Sequence, residues 1–348
     1  MPLSKQVSLL KQLDELHAHM AAPCNEELKT LLLQAKALEK WPIAQLISVF
    51  ERNTTENLIK RHQIIKELES NPDTYNKQAK VLGFTGTPGA GKSSLIGVTC
   101  LELLKQNPDL SIAVIAIDPS SQSSGGALLG DRTRTQFPVN DARIFFRSQA
   151  SHLDLGGMGK TTFNAVRALR RLFDLIIIET VGIGQSEIEV QRLADHTLLV
   201  MQPLAGDQVQ FMKAGIMEVP DSFIINKCDE DELAKKSHHL LKASLKLAQV
   251  LPKEGEQEAE IFMTSATRHK GIEELAGKLL REVRAGESKD LMEQENYFLN
   301  KWVQEAYGEF GIGLLEHFKG ESSLEHGTFE EKELAYKSLI AKFLSRLN

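Results

Sequence analysis

Val81-Leu82-Gly83-Phe84-Thr85-Gly86-Thr87-Pro88-Gly89-Ala90-Gly91-Lys92-Ser93-Ser94-Leu95-Ile96-Gly97-Val98 is the stretch that decides the fold. An apolar run of strand length meets a glycine-rich turn, and the turn leads into helix-compatible sequence. Gly86 to Ser93 satisfies G-x-x-x-x-G-K-S in the strand-loop-helix context that gives the pattern its meaning. The glycines permit torsions that turn successive amide N–H groups inward, and a helix N-terminus adds partial positive charge toward bound phosphate. The expected nucleotide-binding run is Gly86, Thr87, Pro88, Gly89, Ala90, Gly91, Lys92, Ser93 and Ser94. Within it Lys92 is expected to reach the β and γ phosphates as a catalytic residue, and the Ser93 hydroxyl to ligate Mg²⁺. A chance glycine-rich turn would lack the flanking strand and helix.

Outward from this loop, short apolar runs alternate with helical stretches from about Lys80 to Arg284, which predicts an α/β fold with a mostly parallel sheet flanked by helices. The expected strands are 81–85, 111–117, 143–146, 173–179, 197–201, 222–226 and 261–264. Residues 1–78 hold no strand-like run. Their apolar residues recur at helical spacing, as in Leu28, Leu31, Leu32, Ala35, Leu38 and in Ile43, Leu46, Ile47, Phe50, and predict a helical N-terminal region. Asn71-Pro72-Asp73 marks its join to a nucleotide-binding domain over 79–285. Residues 286–348 predict a helical C-terminal arm with apolar positions at Leu334, Leu339, Ile340, Phe343 and Leu344. Such a stripe needs burial, either by packing on the core or by dimerisation.

A magnesium site beside a triphosphate needs carboxylates from neighbouring strand ends. Asp118 and Glu179 are each the first acid after an apolar run, at the edge of the sheet where ligands bind in such folds. Either acid alone would read as a solvated strand end; beside the phosphate loop they read as metal-directed. After Asp118 comes Pro119-Ser120-Ser121-Gln122-Ser123-Ser124-Gly125-Gly126, composed for a loop that orders around γ-phosphate and metal. Asp131 and Arg132 follow it.

Asn226-Lys227-Cys228-Asp229 closes the strand expected at 222–226 and has the form N-K-x-D. An aspartate there accepts from guanine N1–H and the 2-amino group, neither of which adenine offers, and polar complementarity of this kind discriminates by roughly 10⁴. The motif is short, but Thr264-Ser265-Ala266 ends the next strand, where Ser265 and Ala266 would present backbone N–H groups to guanine O6. GTP, converted to GDP, is therefore the expected nucleotide, bound through Asn226, Lys227, Asp229, Ser265 and Ala266.

The bulk composition sets bounds. Over 348 residues, a 42% hydrophobic share supports a sizeable core, and a formal net charge of −6 argues against a nucleic-acid partner. Cys24, Cys100 and Cys228 form no CxxC pattern, so neither a disulfide framework nor a thiolate metal site is indicated. No apolar run is long enough to cross a bilayer. The start of the chain leads into a charged amphipathic stretch rather than an apolar signal core, and acids at Asp14, Glu15, Glu26 and Glu27 disfavour a mitochondrial presequence. The expectation is a soluble cytoplasmic protein with no membrane partner.

The sequence resembles the MeaB/ArgK-type G proteins, the methylmalonyl-CoA mutase-associated GTPases of the SIMIBI class of P-loop proteins. The likeness rests on Gly86 to Ser93, Asp118-Pro119-Ser120-Ser121 with Leu129-Gly130-Asp131-Arg132, and Glu179-Thr180-Val181-Gly182-Ile183-Gly184-Gln185-Ser186-Glu187. It continues in Gly206-Asp207-Gln208-Val209-Gln210 and Lys213-Ala214-Gly215-Ile216. It implies Mg²⁺ held at Ser93, Asp118, Asp131 and Glu179, and a third switch over 206–213 with Gln210 and Lys213 as polar catalytic candidates. It further implies a homodimer and, as partner, an adenosylcobalamin-dependent acyl-CoA mutase that the GTPase would assemble or protect. Two places depart from the family's pattern: His152-Leu153-Asp154-Leu155-Gly156-Gly157 stands for Arg-Gly-x-Leu-Gly-Gly, and Glu218-Val219-Pro220-Asp221 for Glu-Ile-Ala-Asp.

Two other functions stay open on sequence. One is an ATP-using kinase linked to lysine/arginine/ornithine transport; the other is a metal-insertion GTPase. The second would want a Cys/His cluster, whereas His238-His239 lies in a charged helix without a nearby cysteine and reads as a solvated face. His17, His19, His196, His269, His317 and His326 carry no motif.

Overall fold

A computed structural model of the chain describes residues 13, 15–119, 140–151, 159–180, 185–203, 220–247, 260–285 and 288–346. Seven strands form one parallel sheet: β1 (Lys80–Gly86), β2 (Ile112–Pro119), β3 (Ile144–Ser151), β4 (Leu175–Glu179), β5 (His196–Met201), β6 (Ser222–Ile225) and β7 (Glu260–Met263). The expected strands are all present. Their order is β3-β2-β4-β1-β5-β6-β7. The strand after β1 in the chain lies to one side of it, and the strand after β4 to the other. Chain connections therefore diverge at the carboxyl ends of β1 and β4, where open parallel sheets form a ligand crevice.

The chain divides into two compact units: Gln78–Met158 with Phe173–Lys289, and Met1–Lys77 with Gly159–Leu172 and Asp290–Asn348. In the sheet unit the central strands are buried on both faces, which is why they read as continuous apolar runs rather than alternating ones. The helices α4 (Lys92–Gln106) and α8 (Ile272–Ala285) cover one face through Leu95, Leu103, Leu275 and Leu279, against Leu82, Phe84, Val114 and Ile177. Behind β5 and β6, Phe223 and Ile225 pack with Ala234 and Leu241 of α7 (Asp231–Leu247). The helix α6 (Gln185–Leu193) runs beside β1 and β5.

The helical unit joins α1 (Glu26–Lys36), α2 (Lys40–Glu51), α3 (Thr55–Ser70), α5 (Lys160–Leu169), α9 (Leu291–His317), α10 (Ser322–Glu325) and α11 (Phe329–Arg346). Asn25 caps α1 by accepting from Leu28 N, and Thr54 caps α3 by accepting from Asn57 N. These caps satisfy backbone donors that a helix start leaves orphaned. The sequence reading kept residues 1–78 and 286–348 as separate flanks and gave 159–172 to the nucleotide-binding domain. The contacts gather all three segments together, because α5 is buried nearly all round and draws its neighbours from both flanks. Phe163 of α5 stacks on Phe298 with ring centres 4.5 Å apart and meets Phe329 edge-on at 5.3 Å. Buried charges compensate one another: Lys160 pairs with Glu333, Arg167 with Glu330 at 2.9 Å, and Arg61 lies 3.6 Å from Glu333. The apolar stripe of the C-terminal arm is thereby largely covered within its own unit, with Leu334 and Ile340 buried and Leu344 exposed.

Candidate functional site

The loop of residues 87–91 links β1 to α4. Gly86 has φ 134°, and a Cβ there would fall 1.9 Å from the Val200 carbonyl oxygen of β5, so no other residue fits without moving the strand. Gly91, at φ 82°, ends the loop as the N-cap of α4. A Cβ on it would stand 2.8 Å from Asn226 Nδ2, so glycine here is what lets the guanine-type motif approach the phosphate loop.

That approach is the site's main structural tie. Buried Asn226 donates through Nδ2 to the Ala90 carbonyl at 2.8 Å and, more weakly, to that of Gly91 at 3.4 Å. Its Oδ1 accepts from Thr264 Oγ1 at 3.2 Å. One amide thus joins the phosphate loop to the ends of β6 and β7. Sequence reasoning placed Asn226 in the base site with no stated role, since nothing local reveals a partner 136 residues earlier.

Lys92 is buried at the first position of α4, and its ammonium donates to the carbonyls of Gly86 at 2.8 Å and Thr87 at 3.0 Å. The Thr87 hydroxyl is buried with no hydrogen-bond partner among the described residues. Pro88 and Gly89 are exposed, as is Ser94, which faces outward from the first turn. Ser93 Oγ donates to Glu179 Oε1 at 2.5 Å. Glu179 is 5% exposed at the end of β4, and its register partner on β1 is Phe84. A hydroxyl and a carboxylate held this close, beside the glycine-rich loop, are hard oxygen donors of the kind a divalent cation such as Mg²⁺ takes.

Asp118 sits in the last rungs of β2, paired with Ala150 of β3. Its backbone therefore lies at the same carboxyl edge; its side chain, with Asp131, Gln210 and Lys213, lies outside the described residues.

At the base end, Asp229 Oδ1 accepts from Ser265 Oγ at 2.6 Å and Thr267 Oγ1 at 3.0 Å, and these two hydroxyls hold its carboxyl below the usual range. Arg268 donates to the Asp229 carbonyl at 2.8 Å. Lys227 adopts φ 63° and reaches Gln202 Oε1 at 3.3 Å. Thr267, Arg268 and Gln202 were not singled out from sequence, although Thr267-Arg268 directly continue the Ser265-Ala266 segment. One expectation needs correcting. The Ser265 N–H, expected to be offered to the base together with that of Ala266, is engaged by the Lys270 carbonyl at 2.9 Å in a small antiparallel bridge.

His238 and His239 lie on α7 with ring centres 5.9 Å apart, the first half-buried and the second exposed. Among the described residues no three His, Cys, Asp or Glu side chains gather as a metal-holding group, and no helix is long and apolar enough to cross a membrane.

Comparison with known proteins accords with this geometry. A relative in Pyrococcus abyssi, carrying an inferred GTPase name, is 36% identical over 302 residues, covering 86% of this chain and 89% of its own. The methylmalonic aciduria type A homolog, mitochondrial, of Caenorhabditis elegans is 33% identical over 224 residues, 64% of this chain and 56% of that one. Among solved structures, a LAO/AO transport system kinase superposes with a TM-score of 0.57 at 24% identity, over 86% of this chain and 89% of that chain, a likeness of fold. The family model for methylmalonyl Co-A mutase-associated GTPase MeaB matches residues 43–306. With that model spanning the whole of the sheet unit and part of the helical one, the chain belongs to the MeaB family of P-loop GTPases.

Proposed function

We propose that this GTPase uses Mg²⁺ to hydrolyse GTP in the service of an adenosylcobalamin-dependent acyl-CoA mutase, assisting the mutase's assembly or protecting it. The observation that carries the chemical half is the Ser93–Glu179 contact beside a phosphate loop tied by Asn226 to an N-K-x-D strand end. Family membership supports the mutase half.

On this reading Ser93, Glu179, Asp118 and Asp131 hold the metal. Bound Mg²⁺ supplies charge neutralisation at the transferring phosphoryl group. Lys92 exchanges its two carbonyl acceptors for phosphate oxygens, a trade that costs little because the ammonium keeps its bonding capacity. The loop's backbone N–H groups other than that of Pro88, which has none, and that of Ala90, which donates to the Thr87 carbonyl at 3.2 Å, are offered to the same oxygens, so charge developing there meets donors held in place. Attack by water is in line and needs no covalent intermediate. Asp229 receives the guanine donors, with Ala266 and Lys227 completing the base site. Gln210 and Lys213 belong to a third switch through which the mutase influences turnover.

The sequence motifs single out no arginine finger in cis, so turnover without a partner is expected on the order of 10⁻³ to 10⁻² s⁻¹. The reading also takes residues 79–285 as the hydrolytic part, the C-terminal arm of residues 286–348 as the site of homodimerisation, and the cytoplasm as location, where three free buried cysteines suit a reducing medium. Competition binding with GDP and ADP tests the base. A preference for ADP would favour the amino-acid transport kinase and discard the guanine argument. Capture of a mutase from native extract by GTP-loaded, but not GDP-loaded, chain tests the partner; capture blind to nucleotide, or no mutase at all, removes that half of the proposal.

A further inference from the structure

Glu179 stands on the last rung of the β1–β4 ladder, where register pairing stops at Phe84. On its other side Glu179 pairs with Ala116 of β2, so the ladders hold its backbone as far as this rung and no further. Beyond it, the next residue carries the tie to β1. Thr180 N donates to the Phe84 carbonyl at 3.0 Å, and Thr180 Oγ1 donates to Thr85 Oγ1 at 2.9 Å. Both threonines are 1% exposed, so water cannot replace a lost partner. The two bonds land on consecutive residues of β1, immediately before Gly86 opens the phosphate loop. The same short piece of β1 thus carries the loop on one side and clamps the acid's backbone on the other.

We propose that Thr85 and Thr180 form a positioning pair, a buried hydroxyl bridge that sets the distance between the Glu179 carboxylate and the phosphate loop and so tunes the metal-dependent step. This deepens the GTPase reading and rests on it. The pair touches neither nucleotide nor metal. Its effect passes through Glu179, so its loss is felt in turnover and in Mg²⁺ dependence rather than in nucleotide affinity measured without Mg²⁺.

The test compares Thr180→Val, Thr85→Val, the double variant Thr85→Val/Thr180→Val and the conservative Thr180→Ser. Each is measured for kcat, KM for GTP, the Mg²⁺ concentration giving half-maximal rate, and GTP affinity with and without Mg²⁺. Each valine variant is expected to lower kcat about tenfold with KM little changed, the pattern of an interaction acting in the transition state. Half-saturation in Mg²⁺ should rise in parallel. The double variant should be no worse than either single one, because a shared bond is lost once, and Thr180→Ser should retain most activity. Valine variants with unaltered kcat and Mg²⁺ dependence would overturn the proposal, and so would a serine variant as impaired as valine, which would assign the effect to the methyl group's packing. A wild-type chain that neither binds nor turns over GTP sinks the underlying reading instead. If turnover is too slow to follow, Mg²⁺-dependent GTP affinity reports on Glu179 directly, and equal values in wild type and Thr180→Val overturn the pair.

Discussion

Replacing Asn226 by aspartate changes one heavy atom and no volume, yet it turns the donor facing the phosphate loop into an acceptor. In the native chain Nδ2 lies 2.8 Å from the buried Ala90 carbonyl oxygen. An ionised carboxylate oxygen in that place would confront the carbonyl directly, so the introduced group either swings away or takes up a proton and donates in the amide's stead. Protonating an aspartate of ordinary pKa near 3.9 at pH 7 costs about 4 kcal/mol, from roughly three units at 1.36 kcal/mol each. The alternative, abandoning the bond and leaving the Ala90 carbonyl unsatisfied, costs about 1–3 kcal/mol together with the net bond energy of about 1 kcal/mol. Asn226→Asp should therefore lose about 2–4 kcal/mol of stability at pH 7, since the cheaper route governs, and Asn226→Ala a similar amount. A carboxyl whose folded-state pKa is raised contributes stability at low pH and loses it as pH rises, so the gap to wild type should narrow by up to about 2.7 kcal/mol between pH 7 and pH 5. Urea unfolding of both variants and wild type at the two pH values gives the answer. An Asn226→Asp chain as stable as wild type at pH 7 would refute the idea that this amide holds the loop, whereas a deficit insensitive to pH would show that the carboxylate swings away rather than taking up a proton.

Other consequences can be checked with the same protein. Lys92→Ala should lower GTP turnover by about 10² or more, since it removes a preorganised cation from the phosphoryl oxygens; an unchanged steady-state rate would end the assignment of that loop. Asp229→Asn should erase most of the preference for GDP over ADP in competition binding, by a factor of at least about 10². Because the Ser265 and Thr267 hydroxyls depress its pKa, Asp229 stays ionised well into acid, so wild-type GDP affinity should not fall through loss of this charge between pH 8 and pH 5. In the helical unit, Glu333 faces Lys160, Arg61 and Lys337. Glu333→Gln leaves three cations without their shared anion and should cost about 3–5 kcal/mol, more than Lys160→Met, which leaves the anion two partners. Burial lowers the Lys160 pKa from 10.5 to about 8, so the unfolded chain holds the extra proton between those values. This lysine should therefore make stability rise with pH across that window, a slope that Lys160→Met removes and that denaturant titrations at pH 8 and pH 10 would measure.

Much of the sheet was readable from the chain because parallel strands buried on both faces announce themselves as short apolar runs, and because Gly86 to Ser93 sits between a strand and a helix. Glu179 could be nominated for the same local reason: it is the first acid after such a run. The residues that escaped notice act across long separations. Asn226 bonding Ala90, and Thr180 bonding Thr85, are contacts between strand ends that only the order β2-β4-β1-β5-β6 brings side by side.

The amino-acid pattern by itself determined the phosphate loop, the alternation of strands and helices, and the guanine-type motif, since each depends on neighbours a few residues apart. Tertiary structure decided which distant hydroxyl, amide or carbonyl each polar group meets. It also decided that residues 159–172 leave the sheet's unit to join helices from both ends of the chain. Lys160, Thr161, Thr162, Asn164 and Arg167 give α5 no all-round apolar pattern to read, so its burial follows from packing, and packing is a property of the whole folded chain.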